Sequence, residues 1–126
     1  MIIKDFETFV VGNLPPRFGG RYFIFVKLVT DSGVVGYGEA YCATFGAKTV
    51  EAMLRDTAER FVVGRNPFHI EALWRSIYGA GYNLRPDVSL MAVLSAVEMA
   101  CWDIIGKECG KPVYELLGGQ VHEKLR

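Results

Sequence analysis

The side chains able to do chemistry in this 126-residue chain are scattered along it. His69 and His122 stand far apart, and neither has a metal-binding neighbour at the helical spacing that puts two donors on one face. Both read as surface or capping histidines. Glu98 and Asp103 are five residues apart, so a helix carries them on different faces, where they can neither grip one ion nor act as a close acid/base pair. Their expected role is structural, in hydrogen bonds at helix ends or across an interface. Cys42, Cys101 and Cys109 form no C-x-x-C pair and have no obvious base nearby, which favours reduced thiols in a cytoplasmic protein over a nucleophile, a disulfide or a zinc site. Gly36-Tyr37-Gly38 lacks the third glycine and the strand-to-helix placement of a dinucleotide fingerprint. No nucleophile elbow or P-loop is present. These residues alone describe a non-catalytic domain with two conspicuous loops and a partner-facing helix.

Composition narrows the partners. The formal charge is zero and the pI is about 6.7, so nothing draws the chain to nucleic acid or to an anionic membrane. The opening MIIKDFETF has neither the basic start nor the apolar core of a signal peptide. The length suits one domain around one core.

The elements that would hold these side chains are organised around residues 88–108. That stretch is apolar on nearly every side of a helix, with Ser95, Glu98 and Asp103 as its clearly polar residues between 90 and 105. Glu98 and Asp103 would be costly in lipid, which speaks against a membrane span. If this chain covers one face, the opposite face, with some of Val93, Val97, Ala100, Cys101 and Trp102, requires a second body. A helix wrapped wholly by its own chain is the alternative.

Three strands are expected before it, at residues 2–11, 21–30 and 34–40, with Asp31-Ser32-Gly33 as a tight turn between the last two. Gly36 and Gly38 share one face of the third strand and would admit another backbone closely. Residues 12–20 and 41–47 form loops that bear Arg17, Phe18, Tyr41 and Phe45 among glycines and prolines. An amphipathic helix over 50–62, ended by Gly64, follows. Asn66-Pro67 reads as the N-cap and first position of the next helix, whose stripe is Ile70, Leu73, Trp74, Ile77 and Tyr78. Asp87 or Ser89 is placed to cap the central helix, Gly110 and Pro112 to stop it, and residues 114–117 add one more turn. The fold class is α+β: a three-stranded antiparallel meander followed by a three- to four-helix subdomain.

The stretches VKLVTDSGVVGYGEA, NPFHIEALWRSIYGAGY and SLMAVLSAVEMACWDIIGKECGKPVYELLGG occur here in an order and separation that resemble one known domain. It is the N-terminal capping domain of the mandelate racemase and muconate lactonizing branch of the enolase superfamily. The resemblance covers essentially the whole chain, and its most specific part runs from Trp102-Asp103 through Lys107, Gly110-Lys111-Pro112 and Leu116-Leu117-Gly118-Gly119. The Pro15-Pro16-Arg17 loop and the segment 78–85 are most similar to the sugar-acid dehydratases that act on galactonate and mannonate.

The resemblance implies that residues 1–117 are the capping domain and that 118–126 begin the linker to a (β/α) barrel of the same polypeptide. It also implies a carboxylate substrate, a homo-oligomeric parent, and a magnesium ion held by three carboxylates of the barrel, where the bases lie too. The expected parent reaction is proton abstraction α to a carboxylate followed by loss of water. Racemase, epimerase or cycloisomerase activity, or a free-standing binding module, are the alternatives. This chain alone would be inactive, with no catalytic or metal-binding residue of its own. Its loops would close over the barrel mouth, making Arg17, Phe18, Tyr41, Thr44, Phe45, Asn83 and Arg85 the candidate substrate-binding residues and Glu39 a structural one.

Overall fold

Alternating β-branched and aromatic residues set the sheet, which a computed structural model describes together with the helices over residues 1–12, 22–41, 45–80 and 87–124. Strands β1 (Ile3–Gly12), β2 (Tyr22–Thr30) and β3 (Val35–Ala40) pair antiparallel in the order β1-β2-β3. Gly33 takes φ 87° in the turn between β2 and β3, which only glycine adopts cheaply, and the Thr30 and Val34 backbones close the hairpin. One sheet face carries Ile24, Val26, Leu28 and Thr30, all buried, and becomes the floor of the core.

The helices form the second layer. They are α1 (Ala47–Thr57), α2 (Ile70–Gly79), α3 (Val88–Cys109) and the short α4 (Val113–Leu116). The helix expected over 50–62 is in fact α1 followed by a π-helical turn, Ala58–Val62, in which the Val63 amide reaches back to the Ala58 carbonyl. The wider turn leaves Ala58 and Val62 both buried before Gly64 ends the run at φ 84°.

Asn66-Pro67 does not open α2. The Asn66 side chain accepts the Phe68 amide at 3.0 Å and its carbonyl accepts the His69 amide, so the pair makes a turn and the helix begins at Ile70. By contrast, Asp87 caps α3 as expected, accepting the amides of Ser89 at 2.9 Å and Leu90 at 3.2 Å.

Helix α3 lies on β3 because β3 has no side chains in the way. A Cβ at Gly38 would run into the Ala96 carbonyl, and one at Gly36 into the Ala100 carbonyl and, at 2.7 Å, into Ile104 Cγ1. This close approach corrects the expected outward face of α3. Val93, Val97, Ala100 and Cys101 are at most 1% exposed, sealed by this chain's own sheet and helices, and of the five named residues only Trp102 is half-buried. The least covered stripe runs instead through Val88, Ser95 and Met99, all exposed, with half-buried Met91 and Trp102 at the same helical spacing, and Val88 is 75% exposed. α3 is apolar and long enough to cross a membrane by composition, yet its packing on the sheet makes it a core helix.

Candidate functional site at the loop end of the sheet

Antiparallel pairing brings the flanks of both conspicuous loops to one end of the sheet. Gly12 pairs with Tyr22, so residues 13–21 leave and re-enter there, and the Ile24–Ala40 pair puts Tyr41 at the same end, just before 42–44. Going along β3 from Gly36 to Gly38 means going back along α3 from Ala100 to Ala96, which aims the start of α3, at Asp87, toward that end as well. Of the candidate residues, Tyr41 and Phe45 are placed: Tyr41 is 74% exposed and Phe45 41%. Arg17, Phe18, Thr44, Asn83 and Arg85 lie outside the described residues.

Around Tyr41 and Phe45 the surface is apolar. Val10, Val11, Tyr22 and Phe23 are all exposed, and Phe23 stacks on Phe25 with ring centroids 6.3 Å apart. Glu39 sits half-buried on the outer face of the sheet, opposite Phe25, one residue from this end. Such a surface can wall a cavity and exclude water. Among the described residues no three His, Cys, Asp or Glu side chains gather to hold a metal ion. Cys101 is inert: burial, helped by the charge of Glu98, pushes its thiol up to about 12.

One contact joins the two loops' flanks. The Tyr22 hydroxyl donates to the Phe45 carbonyl at 2.9 Å. Sequence reasoning passed over Tyr22 as an ordinary strand residue; its position directly after a long loop was the only available signal.

The acidic residues of α3 divide as their spacing predicts. Asp103 Oδ2 accepts the Tyr37 amide of β3 at 2.9 Å and Lys107 Nζ at 2.6 Å, and Lys107 also donates to the Val35 carbonyl at 2.7 Å. The pair therefore occupies the outer edge of β3, satisfying backbone groups that an edge strand leaves open. Glu98 stands away from it, half-buried beside Trp74 and Cys101.

Comparison with known proteins agrees with this fold. Residues 18–118 match the family described as mandelate racemase / muconate lactonizing enzyme, N-terminal domain. A D-galactonate dehydratase from Ralstonia pickettii is 42% identical over 114 residues, which are 90% of this chain and 28% of that enzyme. A Labrenzia alexandrii protein, assigned to the mandelate racemase/muconate lactonizing enzymes, has a crystal structure that superposes on the whole chain with a TM-score of 0.91 at 65% identity, over 32% of its own length. The 3,6-anhydro-D-galactonate cycloisomerase of Zobellia galactanivorans matches 94% of the chain at 30% identity and a TM-score of 0.81, again over 32% of its length. The chain belongs to the mandelate racemase / muconate lactonizing enzyme family and is an N-terminal domain of the enolase superfamily. It spans about a third or less of the relatives it matches.

Proposed function

We propose that this domain caps the active site of a magnesium-dependent sugar-acid dehydratase, with residues 1–117 as the cap and 118–126 leading into a (β/α) barrel. The observation that carries the reading is the 42% identity to a D-galactonate dehydratase across 90% of the chain. The apolar loop end supports it, since a lid must exclude water while presenting few groups that compete with the substrate for hydrogen bonds. Tyr41 and Phe45, with Arg17, Phe18, Thr44, Asn83 and Arg85, are the proposed contacts to the substrate's distal end. Arg17 or Arg85 would recognise a carboxylate or hydroxyls, and the rings would form walls.

The proposed docking surface for the barrel is the stripe of Val88, Met91, Ser95, Met99 and Trp102, the face of the helix that the chain itself leaves least covered. Magnesium would stabilise negative charge on the substrate carboxylate when bound in the barrel, and the bases would act there. This domain's part is to orient and enclose. The parent is proposed to be a cytoplasmic homo-oligomer.

The test is direct. The full-length polypeptide, incubated with D-galactonate and Mg²⁺, is expected to release a 2-keto-3-deoxy acid, detectable by NMR. A natural product whose intact mass equals that of these 126 residues would sink the assignment. The likeness to a 3,6-anhydro-D-galactonate cycloisomerase supports a second reading, in which the product is a rearranged isomer with no loss of water. The same spectrum separates the two.

A further inference from the structure

Tyr22 is held at both ends. Its backbone pairs with Gly12 at the start of β2, and its hydroxyl reaches the Phe45 carbonyl at 2.9 Å. It lies on the sheet face of Ile24 and Val26, the side on which the helices pack, so its ring crosses from one layer to the other.

Among the described residues, the segment it reaches has little of its own to hold it. Gly46, the N-cap of α1, offers no side-chain acceptor, and the first turn of α1 contains no acidic residue. The Val50 amide makes the first regular helical bond, to the Gly46 carbonyl at 3.3 Å, and the Thr49 amide has only that same carbonyl to share, at 3.0 Å, among the described residues. Asp87 shows what α1 lacks, since it caps α3 with two bonds from one carboxylate oxygen. A helix start without a cap frays unless something outside the helix ties it down.

We propose that Tyr22 is a positioning residue: its hydroxyl fixes the Phe45 backbone, and through it the Phe45 ring and the first turn of α1. The inference deepens the capping-domain reading and rests on it for its kinetic consequence, because Phe45 lies at the end proposed to face the substrate. Tyr22 and Phe45 are 39% and 41% exposed, so the bond contributes little to global stability. Its effect is local.

Tyr22→Phe in the full-length polypeptide keeps the ring and removes the bond. Hydrogen exchange at residues 47–50 is expected to quicken roughly 2- to 12-fold, the loss of one ordinary hydrogen bond, while α3 exchanges as before. KM for the preferred sugar acid should rise roughly three- to tenfold with kcat held within about twofold, the pattern of binding lost equally from the ground state and the transition state. Combined with Phe45→Ala, the substitution should raise KM no further than Phe45→Ala alone.

Unchanged exchange at 47–50 would overturn the tether. Independent, multiplying effects on KM would overturn action through Phe45. A full-length polypeptide inactive toward every sugar acid would instead refute the dehydratase reading, and the exchange rates would still decide the tether.

Discussion

The two ends of the sheet are built on opposite principles. At the turn end, Asp31 accepts the Ile2 amide at 2.9 Å, the backbones of Ile3, Gly64 and Arg65 bond one another, and Asp103 with Lys107 seals the edge of β3. Backbone groups are paired there, and Gly36 lets α3 sit against the strand. At the loop end, Val11, Tyr22, Phe23, Tyr41 and Phe45 stand exposed, and among the described residues the Tyr22 hydroxyl ties the strand to the Phe45 carbonyl just before α1. The difference teaches where the fold is fixed and where it stays free to vary. A family that keeps one scaffold for many substrates would vary the end whose residues stability does not require.

Substitution of glycine gives the sharpest contrast. Gly36→Ala should destabilise by about 3 kcal/mol or more, because the new methyl meets the Ala100 carbonyl, a backbone group that cannot rotate away. Thermal unfolding should show it as a fall of roughly 10 °C. Gly46→Ala, at the loop end, has open space for its Cβ and an ordinary φ of −67°, and should shift stability by no more than about 0.5 kcal/mol. Equal losses at the two sites would break the comparison.

Next in size is the edge lock. Asp103→Ala removes the acceptor of the Tyr37 amide and one of the two acceptors of Lys107, and urea unfolding should report a loss of about 0.5–1.5 kcal/mol. Arg17→Ala tests the other end by function: in the full-length enzyme it should lower kcat/KM by roughly 10- to 100-fold, the value of one charge-assisted hydrogen bond, and leave thermal stability unchanged. Unaltered kinetics on the preferred sugar acid would remove Arg17 from the site.

The smallest expected effect is one of pH. The Ile2 amide holds the Asp31 carboxyl below the usual carboxylate range. A depressed folded pKa contributes stability that is complete above the unfolded value of about 4 and disappears as pH falls through the folded value. Asp31→Asn should therefore lower stability slightly and evenly above about pH 5, with the difference closing as pH falls below about 4, so that the acid limb is flatter. An equal slope in both proteins would mean that Asp31 does not contribute.

Much of the fold was legible because it follows from local patterns. Apolar residues on both faces of 21–30 marked a buried strand, Gly36 and Gly38 announced a close approach, and Asp87 or Ser89 announced a cap. Asn66-Pro67 misled, since the same dipeptide suits a turn as well as a helix start, and only the hydrogen bonds to Phe68 and His69 distinguish them. The outward face of α3 misled for a related reason: composition shows that a helix is apolar all round but not which side another backbone will cover. Of the candidate site, Tyr41 and Phe45 were legible as exposed loop aromatics, while Tyr22 was invisible because its partner lies 23 residues away.

The sequence by itself determined the strands, the helices and their order, because periodicity, caps and turn glycines act over a few residues, and the resemblance of its motifs to a known domain supplied the family. Tertiary structure decided which stripe of α3 is least covered, that Asp103 and Lys107 guard β3, and that Tyr22 meets Phe45. Each of those outcomes depends on two segments arriving at one place, and short-range patterning carries no term for that meeting.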